Sequence, residues 1–407
     1  MKMIEGHAVI DVPDNVPVWD IDPYNPEILA NPLNYYAELR AKGPFAYIPK
    51  YGILACGRHK ENKEVFSDWE RFVSSRGVGL QDFKLGKPWR DPSIVLEVDP
   101  PEHGRTRKIL MRLMSPKVMR TLADDFQLAA DRLIDELLEK GTFEAVTELA
   151  EVYPTTVFPD AMGLRACDKR RLIDYGAMVF NALGPDNDLR RKAMATAPDI
   201  VPWITEQCLR ENLKPNGFGA AIYAAVDEGE ITEEEAGMLA RSLLSAGVDT
   251  TVTGLGSALW CLATNPDQFE LLKSDMQLLR PAFEEVLRYT SPVHSFCRTA
   301  DIDTEVSSIK IKQGTKILCV LGAANMDEDQ WPGATKFDIS RKPVGHMAMG
   351  AGVHGCVGQN LARAEVQAIF TAIANKVDTI KLAGEAVWRP NNAVHALDSL
   401  PITFTRK

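Results

Sequence analysis

Apolar residues recur at helical spacing through most of this 407-residue chain, and strict alternation of apolar with polar positions is confined to short stretches. Residues 32–41 predict a short helix. Residues 45–48 and 52–56 then read as two strands around Pro49-Lys-Tyr-Gly, a hairpin signal. Helical spacing returns over 60–72. From Ser74 to Asp99 the periodicity is lost and Gly and Pro accumulate, which predicts a long loop forming one wall of a binding site. A helix follows from Asp99-Pro-Pro through Met114. Residues 122–213 alternate helical patterns (126–138, 167–183, 197–213) with short breaks such as Gly184-Pro185, and residues 302–320 alternate as strands of one small sheet. Residues 1–30, rich in Pro, Asp and Asn, read as an irregular leader. The expectation is a mainly α chain with small β-sheets, undivided by repeat or linker, hence one domain over 1–407.

The longest pattern starts at the capping box Thr232-Glu-Glu-Glu235 and runs to Asn265-Pro266. An unbroken helix there has ~33 residues and spans ~50 Å, enough to cross the protein. Near its middle lies Ala246-Gly247-Val-Asp249-Thr250-Thr251. Gly247 weakens the helix, and Thr250 can return its hydroxyl to a carbonyl one turn earlier, which bends the helix and opens a groove.

Late in the chain, Met349-Gly-Ala-Gly-Val-His-Gly-Cys356-Val-Gly358 precedes a helical pattern starting at Gln359. Four glycines strip side chains from a loop against which something flat could lie, and Cys356 sits at the mouth of the helix, where free N–H groups favour a thiolate. Gly350 to Gly355 also spells G-x-G-x-x-G, but too little chain follows to complete a dinucleotide-binding domain. By itself, a lone cysteine in such a loop is more often a small buried hydrophobe.

Composition narrows the classes. The chain is 45% hydrophobic and 25% charged with a net charge of −10, which disfavours nucleic acid or an anionic membrane as main partner. No signal segment or membrane-length apolar run is visible, so the cytoplasm is expected. Seven cysteines without C-x-x-C pairs argue against zinc sites and a disulfide framework.

The stretch 349–358 resembles the haem-binding loop of cytochrome P450 monooxygenases, F-G-x-G-x-H-x-C-x-G, with Met349 in place of the phenylalanine. The resemblance covers the chain from about residue 20 to its end. It implies the P450 fold with its long central helix, haem b (heme b) with iron held by the Cys356 thiolate, and Asp249 and Thr250 as the acid–alcohol pair that relays protons to bound O₂. It also implies haem-propionate contacts at His103, Arg107, Arg298, His346 and His354, and a structural network of Glu285, Arg288 and Arg341. Electrons would come from NAD(P)H through a reductase and an iron–sulfur ferredoxin. Arg105, Lys108 and Arg112 form a basic face that could dock an acidic partner. A haem-thiolate sensor or a peroxide-driven enzyme is disfavoured by the intact acid–alcohol pair.

Within the family, the chain is similar to bacterial enzymes that oxidise para-substituted benzoates, through Ser74-Ser-Arg-Gly-Val-Gly-Leu, Lys87-Pro-Trp-Arg90-Asp-Pro-Ser93, Val179-Phe180-Asn and Arg241-Ser242-Leu-Leu-Ser245. That likeness implies a polar end at Arg90, Ser93, Ser242 and Ser245, with Arg241 nearby, gripping an aryl carboxylate. The apolar end comprises Phe180, Ala246, Val293 and Phe296. Leu183 and His294 depart from the pattern, and loss of an aromatic wall at Leu183 loosens the grip on a planar ring, so a cinnamate or other phenolic is an alternative. The expected activity is hydroxylation or O-demethylation of a small aromatic acid with O₂.

Overall fold

The computed structural model describes residues 2–407. The hairpin forms as expected, with β1 (Ala46–Ile48) and β2 (Ile53–Cys56) antiparallel. With β3 (Phe72–Val73), β4 (Ser295–Ala300) and β5 (Lys316–Val320) it builds a five-stranded sheet in the order β1-β2-β5-β4-β3. Residues 302–320 therefore do not share one sheet: Thr304–Val306 pairs only with Ile309–Ile311, while β5 lies between β2 and β4. The helix expected over 60–72 stops at Ser67, because Asp68 leaves helical geometry and its carboxylate turns to pair with Arg71. The pattern over 197–213 is a helix only to Gln207, followed by a short 3₁₀ turn at Arg210–Asn212.

The body is helical. The helices that position the site are α1 (Glu102–Leu113), α2 (Pro116–Lys140), α3 (Lys169–Asn181), α4 (Glu233–Ala246), α5 (Asp249–Thr264), α6 (Leu279–Thr290) and α7 (Gln359–Lys376). Local signals set their ends: Asp168 caps α3 through the Arg171 N–H at 3.0 Å, and Thr232 and Glu235 close the capping box of α4. The main core joins α2 (Phe126, Ile134), α5 (Leu255, Leu259), α6 (Ala282, Val286) and α7 (Val366, Ile369). Helix α5 is buried on nearly every side, as an apolar helix without a polar stripe must be.

The long central helix is not continuous. It breaks at Gly247 and Val248 into α4 and α5. A Cβ at Gly247 would come within 2.5 Å of the Phe158 ring and 2.9 Å of the Leu243 carbonyl, so no larger residue fits there. Beyond the break, hydroxyls donate back along the chain: Thr250 to the Ala246 carbonyl at 2.7 Å, Thr251 to Gly247 at 3.1 Å and Thr253 to Asp249 at 2.8 Å. The first two take the Ala246 and Gly247 carbonyls, to which no backbone N–H among the described residues donates across the break, and this turns the expected bend into a gap. Among the described residues no helix is long and apolar enough to cross a membrane.

Candidate active site

Around the break lies a cavity of about 260 Å³. The Cys356 loop closes one end, the face of α4 and α5 forms a side, and part of the long loop supplies Arg90, Ser93, Val95 and Leu96. All ten residues expected to hold substrate line it: Arg90, Ser93, Phe180, Leu183, Arg241, Ser242, Ser245, Ala246, Val293 and Phe296. Thr250, Arg107, Arg298, His354 and Cys356 line it too.

Three contacts hold the cysteine loop. The Cys356 N–H donates to the Met349 carbonyl at 2.8 Å, Arg107 donates to the Gly355 carbonyl, and the Met347 N–H donates to Asn325 Oδ1 at 2.6 Å. The Cys356 thiol is pushed up by burial, against the N–H groups of Gly358 and Gln359 and the charges of Arg107 and Arg363. The helix mouth therefore does not make the thiolate unaided; a coordinated metal would, since a ligating thiol is deprotonated outright.

Beside the loop, donors outnumber acceptors. His103 Nε2 and His354 Nδ1 are buried without partners, and the two rings pack with centroids 4.5 Å apart. Arg298 is 2% exposed, stacks on Phe66, and donates only to the Cys297 carbonyl. Buried cationic and N–H groups left this way are costly. A planar cofactor carrying two carboxylates answers all of them, and the side-chain-free Gly350 and Gly355 leave it room, so the residues present fit a haem.

Two expected residues stand elsewhere. His346 does not reach the cavity: its Nε2 lies 2.9 Å from Glu284 Oε2, and Glu284 also pairs with Arg363 of α7. The carboxylate one residue before the Glu285 network claims it. Asp249 adjoins Thr250 in sequence but reaches the opposite face of the break, into a second, polar cavity of about 130 Å³ with Glu151, Arg170 and Arg389. Both its oxygens are buried without a hydrogen bond, and Arg389 stands 3.7 Å away. Burial pushes its carboxyl above the usual range, with Arg389 pulling the other way.

At the polar end the hydroxyls are already engaged. Ser93 Oγ and Ser242 Oγ are 3.0 Å apart, Ser242 donates to the Met238 carbonyl at 2.9 Å, and Ser245 to the Ser242 carbonyl at 3.0 Å. Arg90 lies 3.2 Å from Glu97 and leaves its buried Nε free; Arg241 meets only the Asp91 carbonyl at 3.1 Å. Three residues escaped the sequence reading, two at this end and one on α7. Tyr175 of α3 lines the cavity between the two arginines' fields; burial raises its phenol, and Arg90 and Arg241 pull it down. Glu97 lies behind Arg90. Glu365, on α7, is fully buried with both oxygens unpartnered, and burial raises its carboxyl to about 8. Only Tyr175 carried a signal, one helical turn before Val179-Phe180.

The basic face of α1 is largely neutralised. Arg105 pairs with Glu235 and Arg112 with Glu230, leaving Lys108 without a carboxylate among the described ion pairs.

Comparison with known proteins agrees with this geometry. A family profile described as Cytochrome P450 matches residues 171–393. The chain is 48% identical over 391 residues to cytochrome P450 CYP199A2 of Rhodopseudomonas palustris, covering 96% of this chain and 95% of that one. It is 30% identical to the cytochrome P450 monooxygenase PikC of Streptomyces venezuelae, over 96% of this chain and 95% of that protein. The solved structure of CYP109Q5 from Chondromyces apiculatus superposes with a TM-score of 0.80 at 30% identity, covering 95% and 99% of the two chains. With a thiol-bearing glycine loop, donors placed for two carboxylates and a broken central helix over one cavity, the chain belongs to the cytochrome P450 family and is a haem-thiolate monooxygenase.

Proposed function

We propose that this P450 oxidises a small aromatic carboxylic acid, hydroxylating or O-demethylating its para-substituent. The observation that carries the reading is that one cavity joins Cys356 to Arg90, Ser93, Arg241, Ser242 and Ser245. A buried carboxylate needs charge and donors; with Arg107, Arg298 and His354 given to the haem in this reading, Arg90, Arg241 and the three serines are left for the substrate.

Cys356 is the thiolate ligand in this reading, and Arg107, Arg298, His103 and His354 take the propionates. A haem bound there would supply the iron centre for O₂-dependent oxidation of a C–H bond, a reaction that consumes two electrons and two protons and releases water. The chain's own residues hold the substrate and the protons. Thr250 presents its hydroxyl to the cavity, anchored on the Ala246 carbonyl. Asp249, its carboxyl raised by burial, stands behind the break and passes protons from the second cavity. Arg241 and the free Arg90 Nε take the substrate carboxylate, with Tyr175 and the serines turning their hydroxyls to it. Phe180, Leu183, Val293 and Phe296 hold the ring. A methoxy group hydroxylated at its carbon collapses to a phenol and formaldehyde. The electrons come from NAD(P)H through a reductase and a ferredoxin, in a cytoplasmic setting; Lys108, Lys117 and Arg120 remain exposed for that partner.

A spin-state titration of 4-methoxybenzoate against its methyl ester tests the reading. Losing a buried charged partner costs about 2–5 kcal/mol, roughly 30- to several-thousand-fold in affinity. The acid is expected to bind at least thirtyfold tighter than the ester in the wild type, with most of the gap lost in Arg241→Ala. Equal binding of acid and ester in the wild type leaves a P450 without a carboxylate site.

A further inference from the structure

The polar end of the cavity holds two arginines but only one unbalanced charge. Arg90 Nη1 stands 3.2 Å from Glu97 Oε2, and the same oxygen accepts the Ser93 N–H at 2.8 Å. The Arg90 side chain is 12% exposed and that of Glu97 only 2%. Glu97 does not line the cavity; it lies behind Arg90 and Ser93, which do, and ties them into one knot. Arg241, on α4, has no carboxylate among the described ion pairs; it donates to the Asp91 carbonyl at 3.1 Å, the same oxygen that accepts from Arg90 Nη1 at 2.9 Å. The formal charges are therefore plus one at Arg90, minus one at Glu97 and plus one at Arg241.

We infer that Glu97 is a specificity-determining residue: by holding this end of the cavity at a net charge of plus one, it matches the site to a monoanion and sets it against dianions such as aryl phosphates. The inference rests on the proposed carboxylate reading of the same site. Its physical basis is that attraction to a net charge of plus one grows only in proportion to the ligand's charge, whereas the cost of taking the ligand out of water grows with the square of that charge. One carboxylate brought to the three groups neutralises the end of the cavity. A dianion leaves an excess negative charge facing Glu97 with little water to screen it. Glu97 has a second, geometric part in holding Arg90 through Nη1 while Nε stays without a partner, and the test must separate charge from geometry.

The test uses the haem-loaded protein and three ligands of similar shape in spin-state titrations at pH 8: 4-methoxybenzoate (charge minus one), its methyl ester (zero) and 4-methoxyphenyl phosphate (minus two, the second phosphate pKa being about 6). The wild type is expected to prefer the acid to both others. Glu97→Gln, which keeps the size and removes the charge, is expected to tighten the acid about tenfold and the phosphate about a hundredfold, since the logarithm of the gain doubles with the charge. The ester is expected to move less than about threefold. Arg90→Gln changes the count in the opposite sense, to zero, so it is expected to weaken the phosphate more than the acid; it keeps the test open if Glu97→Gln does not fold. A common factor for all three ligands in either variant would mean that Glu97 only holds the loop, and would overturn the inference. Acid preferred to ester in the wild type, with an unchanged acid-to-phosphate ratio in both variants, would overturn it while leaving the carboxylate reading standing. Equal binding of acid and ester in the wild type would remove both.

Discussion

Replacing Glu285 by Gln removes one negative charge from the centre of the protein and almost none of its volume. Glu285 and Arg288 are both fully buried and joined by two hydrogen bonds of 2.8 Å. Arg341 adds a third contact at 3.2 Å and the Asp338 N–H a fourth at 3.2 Å. Arg288 also donates to the carbonyls of Asn325 at 2.8 Å and Ala334 at 2.9 Å, and Asn325 in turn takes the Met347 N–H. The network thus reaches the cysteine loop through one residue. Breaking a buried pair costs about 3–5 kcal/mol, because the remaining charge stays buried without its counter-ion. At about 2 cal/mol/K of unfolding entropy per residue, a chain of this length loses roughly 4–6 °C of Tm for that change. Thermal unfolding of the haem-loaded variant by circular dichroism reads the loss. The carbon monoxide difference spectrum at moderate temperature should also show a smaller thiolate-ligated fraction, since the loop loses its anchor. A Tm within 1 °C of wild type would refute the reasoning, showing that the ion pair is balanced by its own desolvation.

Other expectations follow from the site. Thr250→Ala should keep NAD(P)H consumption brisk while product yield falls and hydrogen peroxide rises, measured together; unchanged product per electron pair would take Thr250 out of the proton path. In Cys356→Ala the red-shifted carbon monoxide band of thiolate ligation should vanish, and its persistence would place the ligand elsewhere. Asp99 is raised by burial, but His354 and the N–H groups of Ser74 and Ser75 outweigh this and hold it at about 2. A lowered folded pKa contributes stability that is full above the unfolded value and lost as pH falls through the folded one, so its share should disappear between about pH 4 and 2. Unfolding followed through that range should show a shallower loss in Asp99→Asn than in wild type.

Much of this was legible because it is written in local spacing. The glycine loop before Cys356, the capping box at Thr232 and the Gly247–Thr250 interruption each depend on residues within a turn or two of one another. The interruption was read as a bend, since spacing shows that Gly247 weakens a helix but not that Phe158, from another helix, lies where a Cβ would go. His346 was misplaced for the same reason: its proximity to the loop is local, whereas its partner Glu284 belongs to α6. The basic face of α1 looked free in sequence because Glu230 and Glu235, which pair with its arginines, lie more than a hundred residues on. Glu97 and Glu365 carry no motif at all, and their meaning comes from what folding packs around them.

The central claim is that a carboxylate held at one end of the cavity fixes which carbon faces Cys356 at the other. It is tested most directly by reconstituting turnover with a reductase and ferredoxin and measuring formaldehyde and 4-hydroxybenzoate from 4-methoxybenzoate. The account predicts that the two products form in equal amounts, that the 3-methoxy isomer yields far less formaldehyde, and that Arg241→Ala lowers the yield from the 4-isomer. Oxidation on the ring in place of the methoxy carbon, or equal demethylation of both isomers, would contradict it.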